Sequence, residues 1–410
     1  MRVAATAQSQ HQSTMLVSHT TQPNEILWVV AASVFVVKDP INDGSANAAN
    51  CPGSNCRFRD ALAAAASASK PALITFQNGI APIQLTYVPS ATPREVLLEG
   101  TGSATAKVQV YIDGTSNDGD PNPLSPFEKR RYPVEIQINP TDKSLAFADT
   151  IRVKNLNAEF KGLNIRRFLG DAGGDQDVLA FSSSSRGIVD ASRLDGGAFA
   201  KAVATDASGA TGKDYVDVQS AGVGFGAGES VLVKNSELRF CWDRAVKVQA
   251  GYLELRDNWI HHNLRGGPFV QNTSAHLKTN NNIIEFNGWN CPSGDPSACG
   301  SDTIVRLGAA QIATQEPDGE LIGHGDIIRF GAQSGILLDN DATGSVTESF
   351  ICNMASSYMS GIEIHNEAST FDFQGTASVL STYGVNYFED GGQIGDVDFI
   401  GDNSFVANST

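Results

Sequence analysis

The sequence predicts an all-β fold, a parallel β-helix in which short strands wind into stacked coils. Three observations support this prediction: a short unit that recurs about every 23 residues, abundant glycine, and the lack of long amphipathic helices. The 410 residues include 40 glycines, and 41% of all residues are hydrophobic, which is enough to form a large core. Short apolar strands separated by Gly/Asn-rich turns are what stacked coils require.

The recurring unit consists of two or three alternating residues, a polar residue, an apolar pair and a turn. Its anchors are Asn235, Asn258, Asn282, Asp326 and Ser349, which are separated by 23, 24, 44 and 23 residues. We expect the step of 44 residues to be two coils. Each unit is shorter than the ~30 residues of a βαβ unit, and asparagines at equivalent turns can stack along an axis. The repeat therefore predicts that the three asparagines lie on adjacent coils.

One outward strand face carries candidate ligand-binding residues. Successive side chains of a strand point to opposite faces, so the apolar residues of AVKVQ (245–249) and GIEIHN (361–366) face the core. Their polar neighbours then face outward. The resulting row consists of Lys247, Gln249, Arg306, Asp339, Glu363 and His365. Such a row suits a groove for several sugar units, and it also suits an ordinary solvated strand face.

The charge of the chain excludes one class of partner. There are 29 basic and 45 acidic residues, a net charge of −16. A negative surface repels phosphate backbones, so nucleic acid is not an expected partner. No apolar run reaches the ~18 to 20 residues of a membrane-spanning helix. The 12-residue run at 26–37 is either part of a signal peptide or the start of the first strand.

The cysteines indicate an oxidising compartment. Two pairs lie close together in loops rich in Gly, Pro and Ser, and we expect two disulfides: Cys51 with Cys56 and Cys291 with Cys299. Zinc is not expected, because each loop holds only two thiols and no histidine follows at a usable spacing. The remaining Cys241 and Cys352 are predicted to be buried thiols about five coils apart, too far apart to pair.

Residues 35–76 resemble the N-terminal module of bacterial surface β-helix proteins. The signature of that module is a Cys-Ser-Leu-Arg-Glu-Ala string, followed by an alanine-rich helix and an I-x-F strand. The string here is CRFRDA (56–61), which departs at three of six positions, and ITF follows at 74–76. The resemblance implies a right-handed, pectate-lyase-like solenoid on a secreted or cell-surface protein, without implying a catalytic activity. A helix at about 60–70 would cap the open end of the first coil.

These features divide the chain into three parts. We expect residues 1–34 to be a leader or a disordered N-terminus, and residues 35–100 to be an N-terminal cap with a helix and the first coils. Residues 101–410 are expected to form the right-handed parallel β-helix.

Two functions are open at this point. The first is binding, with or without cleavage, of an extracellular polysaccharide, and an enzyme of this kind would be a lyase or a glycoside hydrolase. The second is a non-catalytic surface, adhesion or structural module. Calcium is the one cofactor left open, because the loops at 116–123 and 171–177 are rich in Asp and Asn.

Two motifs with histidine are expected to be structural. The GHGD stretch (323–326) resembles the Gly-His-Gly of polygalacturonase-like hydrolases, but the Asn-Thr-Asp and Asp-Asp partners of those enzymes are missing. His261 and His262 are adjacent, and neighbouring strand residues point opposite ways. We therefore expect one of the two to face inward with a backbone partner, rather than both to bind one metal.

Overall fold

A computed structural model confirms the parallel β-helix, in which almost every strand pairs with the same strand of the next coil. The structure describes residues 14–17, 30–42, 45–51, 53–85, 96–100, 109–116, 127, 130–138, 150–166, 177–182, 185–196, 216–218, 230–241, 244–263, 266–270, 275–288, 310–314, 319–331, 334–339, 342–352, 354, 360–365, 370–381, 383–388 and 397–407.

Within these residues the strands form three sheets that run along the axis of the solenoid. The first sheet has 13 strands: Thr14–Val17, Val30–Val37, Ala72–Phe76, Gln109–Asp113, Asn157–Lys161, Arg186–Asp190, Ser230–Lys234, Gly251–Arg256, Ala275–Asn280, Glu320–His324, Thr343–Thr347, Thr370–Gln374 and Val397–Ile400. All pairs in this sheet are parallel except the one between its first two strands.

The second sheet follows the first around each coil. Its 12 strands are Ile41–Asn42, Ile83–Leu85, Val134–Ile138, Leu163–Arg166, Arg193–Asp195, Glu237–Arg239, Trp259–His261, Ile283–Glu285, Ile327–Arg329, Phe350–Cys352, Ala377–Ser381 and Ser404–Ala407.

The third sheet completes the coil. Its ten strands are Leu97–Glu99, Ile151–Lys154, Leu179–Ser182, Val216–Val218, Arg244–Val248, Gly266–Val270, Ile312–Thr314, Ile336–Leu338, Ser360–His365 and Tyr383–Phe388. The predicted inward residues Val246, Val248, Ile336, Leu338 and Ile362 are all fully buried. The alternation rule therefore assigns the core correctly on this sheet.

A ladder of polar side chains stabilises the corner between the first and second sheets. The Asn258 amide donates to Asn282 Oδ1 at 3.0 Å, and the Asn282 amide donates to Asp326 Oδ1 at 2.9 Å. Each asparagine also donates to a backbone carbonyl of the preceding coil. These three residues are at most 1% exposed, so the bonds satisfy groups that burial would otherwise leave unpaired.

The register predicted for Asn235 is wrong by one residue. Ser236 occupies the ladder position, because its backbone N–H donates to Asn258 Oδ1 at 2.9 Å. Asn235 is the preceding residue, with a φ of 49°. The corner requires this left-handed conformation, which asparagine tolerates better than most residues. Asn235 and Asn258, which are 23 residues apart, therefore occupy two different positions of the corner.

A second amide ladder lies at the corner between the second and third sheets. Asn263 donates to Asn287 Oδ1 at 2.7 Å, and Asn287 donates to Gln311 Oε1 at 2.9 Å. The backbone N–H of Cys241 donates to Asn263 at the start of this ladder.

The 44-residue step from Asn282 to Asp326 is a single coil, which corrects the expectation of two. Ile283 pairs directly with Ile327 across it. The entropic cost of closing a loop rises only slowly with the length of the loop, so one coil can contain many extra residues.

Because this step is one coil, Cys241 and Cys352 are four coil steps apart, or about 19 Å at ~4.8 Å per step. Both are buried thiols, as predicted.

The N-terminal coils carry the expected helix. It spans Phe58–Ala66 and packs against strands Val30–Val37, Ala72–Phe76 and Leu97–Glu99. Asp60 is fully buried and accepts hydrogen bonds from the Asn47 backbone, the Asn50 amide and the Arg57 guanidinium. The helix is thereby fixed to the loop that precedes it. Two short 3-10 turns lie at Ala48–Asn50 and Gly114–Ser116.

One predicted disulfide is confirmed. Cys51 and Cys56 are bonded, with their Cα atoms 4.9 Å apart, within the range that disulfides tolerate. Cys291 and Cys299 lie outside the described residues, so that pair stays a prediction. No helix among the described residues is long and apolar enough to span a membrane.

Candidate functional site

The predicted row on the third sheet is interrupted by apolar residues. Lys247 pairs with Phe269, and Glu363 pairs with Leu337. Phe269, Ala313 and Leu337 lie at successive positions between them and are buried in a cluster separate from the core. Lys247 is itself only 9% exposed. Lys247 and Glu363 are four coil steps, or ~19 Å, apart, so they cannot serve one reacting centre.

The other members of the row fall at its far end or outside the described residues. The Glu363 carboxylate and His365 Nε2 lie 2.5 Å apart, and both residues are half-buried. Gln249 and Asp339 follow the ends of their strands and are also half-buried. Arg306 lies outside the described residues. The structure brings Glu363 and His365 together, and the role of the row in binding stays a prediction.

A concave groove lies on the outer face of the first sheet. Its volume is about 410 Å³, within the ~300 to 1,000 Å³ of ligand pockets. It crosses five coils, from strand Gln109–Asp113 to strand Gly251–Arg256. We call it the first-sheet groove, and the side chains that define it are Tyr111, Glu159, Arg186, Leu232, Tyr252 and Glu254.

The residues of these strands that point into the core determine which side chains point into the first-sheet groove. Gly187 faces the interior, where a Cβ atom would come within 2.2 Å of the Phe181 ring. Its neighbours Arg186 and Ile188 therefore face outward. Val231 is buried on the next coil, which turns Leu232 outward beside Ile188. The middle of the groove thus has an apolar floor.

A tyrosine stands at each end of the groove. Tyr111 donates to Gln109 Oε1 at 3.0 Å. Burial raises the pKa of Tyr111, and the negative charge of Glu159 acts in the same direction. Burial, then Glu254, likewise raises the pKa of Tyr252. Both phenols therefore remain protonated at neutral pH and can donate to and accept from hydroxyl groups.

The carboxylates of the groove are widely spaced. Glu159 pairs with Ile188, Ile188 with Leu232, and Leu232 with Glu254. Three coil steps of ~4.8 Å place the two carboxylates about 14 Å apart. The Glu254 carboxylate is also ion-paired with Arg256. A glycosidase needs two carboxylates ~5 to 9.5 Å apart, so this pair is not arranged for hydrolysis of a glycosidic bond.

Sequence reasoning missed this groove, although a signal was present. The segments QVYID (109–113) and GYLELR (251–256) alternate Tyr or Glu with Val, Ile or Leu. That pattern places Tyr and Glu on an outward face. What the pattern does not show is that the two segments lie on the same concave surface, because residues 114–250 separate them in the chain.

The histidine pair differs from the expectation. His261 is 3% exposed and contacts Glu237 and the ring of His262, rather than a backbone group. No group of three or more His, Cys, Asp or Glu side chains is placed to hold a metal ion within the described ranges. The Asp/Asn-rich loops that suggested calcium lie almost entirely outside those ranges, so calcium stays a prediction.

Comparisons with known proteins show limited similarity. No protein-family model and no curated protein match the sequence. Among solved structures, the enzymatically active domain of tailspike protein 2 of bacteriophage CBA120 is 10% identical, with a TM-score of 0.39 over 93% of this chain and 48% of that one. The chain thus spans about half the length of that tailspike domain. The A-module of the mannuronan C-5 epimerase AlgE6 of Azotobacter vinelandii is 11% identical, with a TM-score of 0.42 over 85% of this chain and 93% of that one.

The strand pairing itself assigns the fold. Three parallel sheets, each made of equivalent strands from successive coils, define a protein of the parallel β-helix class. A fold of this kind hosts many functions, so function has to be argued from the site.

Proposed function

We propose that the protein binds an extended glycan lengthwise along the first-sheet groove. The observation that carries this proposal is the groove itself, a concavity of about 410 Å³ that crosses five coils. Sugar chains present apolar C–H faces and rows of hydroxyl groups. The apolar floor at Ile188 and Leu232 suits the faces, and the polar groups of Tyr111, Arg186 and Tyr252 suit the hydroxyls.

The spacing of the carboxylates supports binding rather than hydrolysis. Glu159 and Glu254 are about 14 Å apart, beyond the reach of a glycosidase pair. We therefore assign a binding role to the groove and leave lyase activity as a separate prediction for the Lys247 face.

An extracellular location is part of the proposal. The Cys51–Cys56 disulfide supports export, because disulfides persist in oxidising compartments. The ligand would then be an extracellular polysaccharide. This location agrees with the secreted or cell-surface setting that the N-terminal resemblance implies.

A second candidate function is a non-catalytic surface or structural module. The two buried amide ladders favour it, because side-chain hydrogen bonds join neighbouring coils from Asn258 to Asn282, from Asn282 to Asp326 and from Asn263 to Asn287. Such networks rigidify a solenoid. A rigid rod and a glycan-binding groove are compatible in one molecule, and the binding experiment separates them.

The experiment is a glycan array with the wild-type chain, followed by titration of each hit. We expect the double variant Tyr111→Ala/Tyr252→Ala to bind at least about tenfold more weakly, a loss of ~1.4 kcal/mol. Tyr383→Ala is the matched control, because Tyr383 is 46% exposed on the third sheet and remote in register from the groove.

The outcomes are distinct. Loss of affinity in the double variant with normal affinity in the control supports the groove. Equal affinity in all three proteins, with a confirmed glycan, rejects it. Absence of any glycan hit across the array favours the structural module.

A further inference from the structure

Two imidazole rings meet at the corner between the second and third sheets. Nδ1 of His261 lies 2.7 Å from Nδ1 of His262, and Nε2 of His261 lies 3.2 Å from the Glu237 carboxylate. Burial alone would raise the pKa of Glu237, but its bonds to His261 and to arginine lower it, so this carboxylate is ionised at neutral pH. Because an ionised carboxylate only accepts, His261 carries a proton on Nε2.

The contact between the two Nδ1 atoms has room for one proton, because one nitrogen must donate and the other must accept. In the neutral pair, His262 donates from Nδ1 and His261 accepts. One added proton fits on Nε2 of His262 without disturbing this bond. A second added proton has only Nδ1 of His261 left, where it would set one N–H group against another. The pair therefore tolerates one added proton in this geometry and not two.

The surrounding residues keep the two rings in contact. His262 has a φ of 56°, so its side chain turns back toward His261 instead of pointing to the opposite face. The His261 ring stacks on Trp259 with a centroid distance of 3.8 Å. The His262 ring stacks on Phe286 at 5.1 Å, and Phe240 approaches it at 5.7 Å. Neither ring can turn away from the other while the corner keeps this structure.

The charges around the pair offer no unused carboxylate to a second imidazolium. Among the described residues of the second sheet, the charged groups that face the pair form three ion pairs: Glu237 with Arg193, Asp195 with Arg239, and Glu285 with Arg329. Arg130, on the segment before strand Val134–Ile138, adds a positive charge near Glu237. Two charged imidazoles would therefore add positive charge to surroundings that are already balanced or positive.

We propose that the His261–His262 pair is an acid-sensitive switch, which keeps this corner closed at neutral pH and opens it when both rings become charged. The switch is independent of the proposed glycan binding. The second amide ladder runs through the same corner, because the backbone N–H of Cys241 donates to Asn263 Oδ1 at 3.0 Å. Asn263 directly follows His262, so separation of the rings disturbs this bond. The Cys241 thiol, which is 2% exposed in the closed corner, then becomes accessible.

The pH range of the switch follows from the surroundings of His262. Burial lowers the pKa of His262 from 6.5 to about 4, His261 and Arg239 act in the same direction, and Glu285 opposes them. Between these two values the unfolded chain binds more protons than the folded chain. The contribution of the pair to stability is therefore fully present above about pH 6.5 and is lost as pH falls toward about pH 4.

The first test compares urea denaturation of the wild type and of His262→Phe. Phe240 and Phe286 occupy the same corner position on the neighbouring coils, so this variant should keep the fold. From pH 7 to pH 4, the unfolding equilibrium constant should rise about 100-fold more in the wild type than in His262→Phe. His276→Phe is the control and should follow the wild type, because His276 lies on the first sheet and pairs with Glu320.

The second test locates the opening by labelling thiols with 4,4′-dithiodipyridine, followed by mass spectrometry. At pH 4.5, Cys241 should react about tenfold faster in the wild type than in His262→Phe, because only the wild type opens locally. Cys352 is a buried thiol further along the solenoid, and it should react equally fast in both proteins.

A third measurement needs no variant. Nitrogen-15 NMR of the histidine-labelled wild type should show one imidazole that stays uncharged down to about pH 4, while exposed histidines become charged near pH 6.5. The same pH dependence of stability in the wild type and His262→Phe, equal labelling of Cys241 in both, or full charging of every histidine by pH 5 would each overturn the proposal.

Discussion

Replacing Asp326 by asparagine should stabilise the protein at neutral pH. Asp326 is 1% exposed and occupies a ladder position where the two preceding coils carry Asn258 and Asn282. Its Oδ1 accepts from Asn282, while its Oδ2 is buried beside the Thr279 hydroxyl. Burial raises the pKa of Asp326, since the charged form is costly in a buried site.

The expected gain follows from the pattern of the other coils. The Asn258 amide donates to the carbonyl of Val233, and the Asn282 amide donates to that of Leu255. For residue 326, the equivalent backbone carbonyl of the preceding coil is that of Thr279, because Thr279 pairs with Leu255. An amide in place of Oδ2 could donate to it, which contributes about 1 kcal/mol, and removing the buried carboxylate adds ~1 to 2 kcal/mol.

The sign of the pH dependence can be stated. A carboxyl group whose folded pKa is raised above the ordinary value of 3.8 binds its proton more tightly in the folded state. The resulting contribution to the free energy of unfolding is fully present at low pH, where the group is protonated. It is lost as pH rises through the pKa of the folded state. The advantage of Asp326→Asn should therefore be small near pH 4 and largest near pH 8.

Urea denaturation, followed by circular dichroism at pH 4, 6 and 8, provides the measurement. Asn282→Asp is the matched control, because it would place two carboxyl groups against each other in the same ladder, and it should destabilise the protein. An Asp326→Asn variant that is less stable than wild type at pH 8, or whose gain is largest at pH 4, would refute the reasoning.

Three further predictions concern the core and the predicted face. Asn258→Ala should lower the free energy of unfolding by about 3 kcal/mol, because it leaves buried backbone groups unpaired; a change under 1 kcal/mol would contradict this. Thiol titration of the denatured, unreduced chain should find two thiols, Cys241 and Cys352, whereas four would show that the second predicted disulfide does not form. If the third-sheet face binds glycan, Lys247→Ala/Glu363→Ala should abolish binding, and unchanged affinity for a confirmed ligand would remove that face.

The candidate site was less accessible to sequence reasoning than the core. Alternation within a strand correctly places Val246 and Val248 inward, because it depends only on local geometry. It also turns Lys247 outward, but it cannot show that Phe269 and Leu337 occupy the same row and are buried there. Those facts depend on which strands pair across coils.

Residue patterns in the chain were enough to predict the winding of short strands into a solenoid, the helix near residues 60–70 and the Cys51–Cys56 disulfide. Each of these depends on residues close together in the chain. The pairing of strands between coils was needed to show that Ser236 joins the ladder instead of Asn235, and that the 44 residues after Asn282 make one coil. A loop can lengthen at little entropic cost, so the number of residues between two anchors does not give the number of coils. The backbone hydrogen bonds between strands do give that number, because each pairs a strand with the equivalent strand of the next coil.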